Sequence, residues 1–352
     1  MTVPTVYRSK GLVMDICRVF VCLICMCLIS PGQTFGQAND PPAQIDSQSN
    51  AAPQANTPTI TPRNVRIGAW NIEWLAQPDK RYGEAQGKTQ TAQDIADYIA
   101  AARVEVIALM EICPTNLSDP KEYDPEVDGP LDNTILREAL AIVSKKTKSE
   151  WEFRLFPNND GTKANHQLTG IAWDTTKLTA IGDSWPVIEY DKAKRTYWYR
   201  PPWATAFSTG EGMTDLVIIP IHMKAYDDES SAQKRAMESA ELVEALAQAQ
   251  GDADTLIIGD SNCHAGDEQA IQNYAAAGFI DLNKRDLSTH VGDAPLDRVF
   301  IPDGQPEFAK KFFQVFDKPY MARRRLSILE FRDRYSDHYM VITTVKAGED
   351  DD

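Results

Sequence analysis

Short aliphatic runs that stop on a polar residue are the feature that most constrains this 352-residue chain. VRIGAW (65–70) runs into Asn71, VEVIALM (104–110) into Glu111, and DLVIIPI (215–221) into His222. TLIIG (255–259) leads into Asp260, Ser261 and Asn262. DRVFI (297–301) opens on Asp297, and YMVITTV (339–345) follows Asp337 and His338. WEFRLF (151–156), LTGIAW (168–173) and WATAFS (203–208) read as further strands, while 91–102 and 231–249 have helical spacing. A single doubly wound sheet would alternate strands and helices regularly. Many strands with few helices between them point instead to two packed sheets flanked by helices.

The two ends of the chain depart from this pattern. Arg8, Lys10 and Arg18 precede the apolar stretch 19–29 (VFVCLICMCLI), and SPGQTFGQA follows it. A basic start, a short apolar core and small residues near Gly36 or Ala38 form the pattern of a cleaved export signal. The apolar stretch is well short of the roughly 20 residues that a spanning helix needs. Residues 1–38 are therefore expected to direct export and be removed, to the periplasm or the medium, with no stable membrane insertion afterwards. Residues 39–62, rich in Pro, Gln, Asn, Ala and Ser, are expected to be a disordered linker. The folded domain is expected over 63–347, as a monomer, ahead of a solvated acidic tail at 348–352.

Composition narrows the function. The net charge is −15, and near −17 once the basic leading segment is removed, which argues against tight, sequence-independent nucleic-acid binding. Brief engagement of a polyanion through a local basic patch stays open. Only Cys113 and Cys263 lie beyond the leading segment, and a disulfide and two free buried thiols are equally open readings.

Any one of the polar strand-end residues is more often a cap or a turn residue. Their recurrence, always as Asn, Asp, Glu or His, suggests a built site. GAWNIEWL, VIALMEI, IPIHMKA, IIGDSN, LDRVFI and SDHYMV resemble, in that order, the motifs of the endonuclease/exonuclease/phosphatase superfamily, which includes deoxyribonuclease I. The resemblance covers about residues 65 to 345. It implies an α/β fold, a four-layer α-β-β-α sandwich of two mostly antiparallel sheets packed face to face. It also implies hydrolysis of a phosphate ester with Mg²⁺, with Mn²⁺ or Ca²⁺ as alternatives.

Carried over by motif, Asn71, Glu111 and Asp337 would lie at the metal. Asp260 would orient or deprotonate the attacking water, and Asn262 would bind the phosphate. His222 would donate to the phosphoryl oxygens or the leaving group. His338, oriented by Asp297, would do the matching work on the other side. The chemistry agrees: negative charge develops on the phosphoryl oxygens, so cations and donors belong there. Mg²⁺ takes hard oxygen ligands, and imidazole exchanges protons near neutral pH. A thiolate zinc site finds no support in the cysteine spacing.

The sequence departs from the family pattern in places. Met110 stands where many members have Gln, Ser261 where a bulky apolar residue is usual, and Met340 where proline is common. Glu73 takes a place where the deoxyribonuclease I pattern has a cation, which weakens a duplex-DNA reading. Arg200, in YWYRPPWATAF, resembles the family arginine that reaches the substrate phosphate; a surface arginine packed on Tyr199 or Trp203 is the competing reading. Lys192, Lys194 and Arg195 precede it among aromatics. Residues 318–334 carry a net +4, with Arg324 a candidate phosphate contact; an ordinary basic helix face would look the same. His166, His264 and His290 are expected to be surface or structural.

The function expected from these residues is a metal-dependent nuclease with DNA or RNA as substrate. The alternatives are a phosphatase or lipid phosphodiesterase on the same scaffold and, more remotely, a silent binding domain.

Overall fold

The structure, a computed structural model, describes residues 62–117, 123–158, 167–188, 196–249 and 254–350. The proposed export signal, the linker through residue 61, His166, Lys192, Lys194 and Arg195 lie outside the described residues.

In chain order the elements are β1 (Arg63–Leu75), α1 (Ala92–Ala102), β2 (Val106–Ile112), α2 (Pro125–Asp128), α3 (Thr134–Thr147), β3 (Trp151–Phe156) and β4 (Leu168–Asp174). Then come β5 (Thr179–Ala180), β6 (Trp185–Pro186), β7 (Trp203–Ser208), β8 (Asp215–His222), α4 (Glu229–Gln248), β9 (Thr255–Asp260) and α5 (Gln269–Ala276). The last are β10 (Phe279–Asp281), β11 (Asp297–Pro302), β12 (Gln314–Val315), α6 (Lys318–Arg324), α7 (Ile328–Arg334) and β13 (Val341–Ala347). The first sheet runs β12-β13-β1-β2-β4-β3 and the second β10-β11-β9-β8-β7-β5, with β6 paired to β7. In each sheet one central pair is parallel, β1 with β2 and β8 with β9. The remaining pairs are antiparallel.

The period-two alternation of side chains explains the layering. Strand β1 sends Val65, Ile67 and Ala69 into a core between the sheets, where they meet Leu216 and Ile218 of β8 and Leu256 and Ile258 of β9. Its other face sends Trp70 and Ile72 toward Ile95, Tyr98 and Ile99 of α1 and Leu136, Leu140 and Val143 of α3. Strand β8 likewise turns Val217, Ile219 and Ile221 toward Leu242 of α4 and Tyr274 of α5. Strands buried on both faces read as continuous apolar runs, which is why VIALM and LVIIPI carry no polar alternation. Three apolar layers between four structural layers make the α-β-β-α sandwich that the resemblance implied.

Local chemistry sets the helix starts. The Thr91 side chain accepts the Asp94 N–H to open α1. Asn133, fully buried, accepts the Leu136 N–H to open α3 and donates its amide to the carbonyls of Leu75 and Cys113. That one residue ties the ends of β1 and β2 together.

Some expectations change. Residues 318–334 form two short helices, because the chain enters the left-handed region at Arg325 (φ 56). Gly348–Asp350, expected as a solvated tail, bond back onto the turn at Gly212–Thr214: Gly348 N–H donates to Thr214 Oγ1 at 3.0 Å, and Glu349 bridges Met213. Cys113 and Cys263 are free and buried, and burial pushes both thiols up to about 12. Among the described residues no helix is long and apolar enough to cross a membrane.

Candidate active site

Parallel neighbours end on the same edge of a sheet, and an antiparallel neighbour begins there. The register places His222 opposite Asp260, and Asp260 opposite Asp297. In the first sheet Asn71 pairs with Met110, one residue before Glu111. His338 stands just ahead of β13, the antiparallel partner of β1. The polar residues that stop the apolar runs therefore gather at one edge of the sandwich.

Backbone irregularity aims them. Pairing slips between Asn71 and Leu75, where Glu73 (φ 35) and Trp74 (φ 56) are left-handed, and Glu111 itself has φ 61. Bulges of this kind re-aim side chains beside sites, and such backbone costs roughly 1–3 kcal/mol per residue. Gly259 (φ 145) lets β9 lie against β8 directly behind Asp260, since a Cβ there would sit 2.3 Å from the Ile221 carbonyl oxygen.

The side chains then meet across the two sheets. Asn71 Nδ2 donates to Asp260 Oδ2 at 3.0 Å and to Glu111 Oε1 at 3.1 Å. Glu111 Oε2 accepts the Trp74 N–H, and Asp260 Oδ1 accepts the Asn262 N–H. His222 Nε2 lies 3.6 Å from Asp260 Oδ2 and 3.8 Å from Glu111 Oε1. His338 Nδ1 is 2.8 Å from Asp297 Oδ2, and its Nε2 is 3.8 Å from Asp260 Oδ2. Asn262 gives one amide hydrogen to the Met223 carbonyl at 3.0 Å, which leaves its second donor for a ligand. His222 Nδ1 and Asp297 Oδ1 are buried without a hydrogen-bond partner in the protein, so each calls for a water or a ligand.

Electrostatics divide the two histidines. Burial first, and the Arg200 charge second, drive His222 well below its ordinary value, so it is neutral. Burial opposes a charge on His338 too, but Asp297 and Asp260 overrule it and hold the imidazolium well above its ordinary value. A neutral and a charged imidazole on either side of one carboxylate can accept and donate protons respectively. Burial raises Asp260 above the usual carboxylate range despite His338. Burial, reinforced by the Asp337 charge, pushes Glu111 up to about 7. Burial acts against Asp337 as well, but His290, His338 and Arg332 hold its carboxyl below the usual range.

These residues fit a hard divalent cation. The carboxylates of Glu111, Asp260 and Asp337 crowd together, and burial with mutual repulsion raises Glu111; a cation relieves both. Ligand atoms of His290, Asp337 and His338 lie within 4.8 Å of one another, as do those of Asp260, Asp297 and His338; the imidazolium of His338 has no lone pair to give, so the carboxylates of these groups would meet the cation. Glu111 and Asn71 touch directly, whereas Asp337 acts on Glu111 through its charge and sits beside His290 and His338. Oxygen donors dominate, and neither cysteine belongs to these ligand groups, so the lining suits a hard cation rather than a thiolate site.

Arg200 joins the cluster. Its Nε and Nη2 donate to the carbonyls of His222 and Met223 at 3.1 and 2.9 Å, and Nη1 to Gln167 Oε1 at 3.3 Å. Three of its five donors are used, leaving two for an anion. Arg324 does not join. Its guanidinium bonds Asp97 of α1 at 3.0 Å and lies over Tyr320, on the helix layer. The break at Arg325 turns α7 so that Arg332, rather than Arg324, reaches inward to Glu73 (3.0 Å) and Asp337 (3.8 Å).

Sequence reasoning missed several contributors. His290, expected to be surface or structural, has Nε2 3.5 Å from Asp337 and its ring against His338. Its partners lie 47 and 48 residues further on, so no local signal marks it. Ser336 donates to the Asn71 carbonyl at 2.7 Å and accepts the His338 N–H; its place at the head of the SDH tripeptide was the available clue. Glu73, which takes the place of a cation in the deoxyribonuclease I pattern, is buried and paired with Arg81 and Arg332. Met340, at the position where proline is common, donates its N–H to the Tyr98 hydroxyl at 3.0 Å, a bond proline cannot make.

No curated protein matches the chain. Among solved structures, an endonuclease/exonuclease/phosphatase from Bacteroides vulgatus is similar at TM-score 0.52 and 11% identity, covering 81% of this chain and 98% of that one. The catalytic domain of human nocturnin, with a bound sulfate anion, is similar at TM-score 0.50 and 14% identity, over 82% and 97% of the two chains. A functionally unknown conserved protein from Enterococcus faecalis gives TM-score 0.51 and 15% identity, over 81% and 100%. At such identities these likenesses speak for the fold. A model of the Endonuclease/Exonuclease/phosphatase family matches residues 68–338, a span that holds the strand-end cluster from Asn71 to His338. The chain belongs to the Endonuclease/Exonuclease/phosphatase family, whose members are hydrolases acting on phosphoester bonds.

Proposed function

We propose that this protein is an exported, divalent-metal-dependent phosphodiesterase whose substrate is nucleic acid, DNA or RNA. The observation that carries the chemistry is geometric: His222 Nε2 and His338 Nε2 stand 3.6 and 3.8 Å from Oδ2 of buried Asp260. Asp260, locked by Asn71 and the Asn262 N–H, takes the proton of an attacking water. His338, oriented by Asp297, presents a cationic N–H at Nε2 to the phosphoryl oxygens. The second amide hydrogen of Asn262 and the spare donors of Arg200 hold the phosphate. Glu111, Asp337 and Asn71 would hold Mg²⁺, which when bound supplies charge neutralisation for the phosphoryl group. Export rests on the basic and apolar pattern of residues 1–38. Nucleic acid is favoured over a phosphomonoester because Arg200 leads into a cation- and tyrosine-bearing surface beside the site.

The test is cleavage of plasmid DNA and of RNA with Mg²⁺, Mn²⁺ or EDTA, beside an Asp260→Ala control. Cleavage that needs both the cation and Asp260 is expected. Intact nucleic acid, together with release of inorganic phosphate or phosphocholine from small esters, would transfer the same residues to a phosphatase or lipid phosphodiesterase.

A further inference from the structure

Beside the catalytic cluster, on the second-sheet side, three tyrosines face solvent: Tyr197 is 45% exposed, Tyr199 59% and Tyr226 66%. Scattered exposed aromatics need no explanation, but these adjoin the site through the backbone. Tyr199 immediately precedes Arg200, which binds the carbonyls of His222 and Met223. Met223 leads directly into the Lys224–Tyr226 loop.

That loop is held rigidly. Arg235, 1% exposed and paired with Glu268 at 2.8 Å, donates Nη1 to the carbonyls of Lys224 and Tyr226 at 3.1 and 2.8 Å. The Lys224 N–H donates to buried Glu238 at 2.9 Å. The outcome is Tyr226 at φ 84, a conformation that bulky side chains rarely adopt. A tyrosine held in strained backbone with its ring in water contributes little to folding, and strain of this kind clusters where ligands bind.

Each ring also carries a cation. Lys224 Nζ stands 4.4 Å from the Tyr226 ring centroid, and Lys234 Nζ of α4 stands 5.2 and 5.4 Å from those of Tyr197 and Tyr199. Most nearby acids are engaged: Asp228 caps α4 through the Ser231 N–H, and Glu241 accepts from Thr196 and Tyr197. Asp227, 77% exposed and 3.9 Å from His264, projects, and Asp228 and Glu229 beside it are exposed as well. Exposed aromatic faces interleaved with ammonium groups thus adjoin the site in a chain of net charge −15.

We propose that Tyr197, Tyr199 and Tyr226, with Lys224 and Lys234, form a stacking platform for the unpaired bases of a single-stranded nucleic acid whose scissile phosphate lies at the Asp260–His338 cluster. The inference rests on the nuclease reading and sharpens it to a substrate class. Every base has a π face, so stacking tolerates sequence, while lysines track the backbone phosphates. Bases paired inside a duplex cannot lie on these rings. A lipid headgroup or an alkyl phosphate has no aromatic ring to place there.

The experiment measures binding of a fluorescent strand of about ten nucleotides, alone and as a duplex, to Asp260→Ala protein. The same measurement is made with Tyr199→Ala and Tyr226→Ala added, with a thermal melt of each. Single strand is expected to bind roughly tenfold tighter than duplex, and the tyrosine changes to weaken it a further ten- to hundredfold. Tyr199→Phe and Tyr226→Phe, which keep both rings, should leave binding of the single strand within about twofold of the Asp260→Ala protein, because stacking uses the ring face and not the hydroxyl. If the double variant melts early, Lys234→Ala on the helix surface carries the test, with a several-fold loss expected. Duplex bound as well as single strand, no binding of either, or no loss in a folded variant would each overturn the platform. Failure of the nuclease reading looks different: the unaltered protein would turn over no nucleic acid with any cation.

Discussion

The two sheets are built alike and equipped differently. Strands β13-β1-β2-β4 of the first correspond in order and direction to β11-β9-β8-β7 of the second, each around one parallel pair. At corresponding strand ends the first sheet offers Asn71, Glu111 and His338, and the second Asp260, His222 and Asp297. Each residue faces its counterpart: Asn71 meets Asp260 at 3.0 Å, Glu111 meets His222 at 3.8 Å, and His338 meets Asp297 at 2.8 Å. Identical residues at matched positions would have set acid against acid or base against base in a buried space. Divergence of the two edges lets every facing pair combine a donor with an acceptor, while burial and Arg200 keep His222 neutral and Asp297 and Asp260 hold His338 charged.

The comparison can be broken at its centre. Asp260→Asn keeps the shape and removes the base, so kcat should fall by roughly three to four orders of magnitude while Tm stays level or rises as a buried charge disappears. A loss below about tenfold would remove the proposed base from the second sheet. Glu111→Gln tests the first sheet. Activity should fall by roughly two to three orders and recover in part at higher Mg²⁺, because the change weakens cation binding; calorimetric titration of the cation checks it. Unchanged cation affinity would place the metal elsewhere.

Backbone substitutions compare how tightly each sheet is closed. Gly259→Ala drives a Cβ to 2.3 Å from the Ile221 carbonyl oxygen at φ 145, and should cost about 3 kcal/mol of unfolding free energy. Gly68→Ala in β1 meets side-chain atoms alone, Met340 Sδ at 3.0 Å and Val104 Cγ1 at 3.2 Å, and should cost about 1 kcal/mol. Equal losses in urea melts would contradict the difference in contact.

Asp297→Asn addresses the charged histidine. The raised value of His338 keeps it protonated at low pH, and the proton is lost as pH rises through that value. Without the Asp297 charge that value drops, so the alkaline limb of the kcat profile should move to lower pH, with roughly a ten- to hundredfold loss at pH 8. A limb that stays in place would show that some other group sets it. The smallest effect belongs to Arg324→Ala. Its exposed pair with Asp97 is worth at most about 1 kcal/mol, and activity should stay within about twofold. Arg332→Ala, which unpairs buried Glu73 and removes a cation beside Asp337, should cost roughly tenfold or more.

By itself the sequence determined the longer strands and the strand-end residues, but not the short β5, β6, β10 and β12. Each apolar run of β1, β2, β8, β9, β11 and β13 is buried on both faces, so the local pattern carries the tertiary fact. Motif spacing carried the family for the same reason, because its residues adjoin those runs. Elements without such runs stayed unread: α3 was not anticipated, and its start depends on Asn133 reaching two strand ends, 58 and 20 residues away. Tertiary structure alone chose among the basic residues of 318–334, because one left-handed residue at Arg325 sets which arginine faces Asp337. It alone brought His290 to Asp337, kept Cys113 and Cys263 apart, and left Tyr226 strained and exposed. These outcomes depend on the packing of two sheets whose facing residues lie from about 40 to nearly 190 positions apart, distances at which local sequence carries no geometric information.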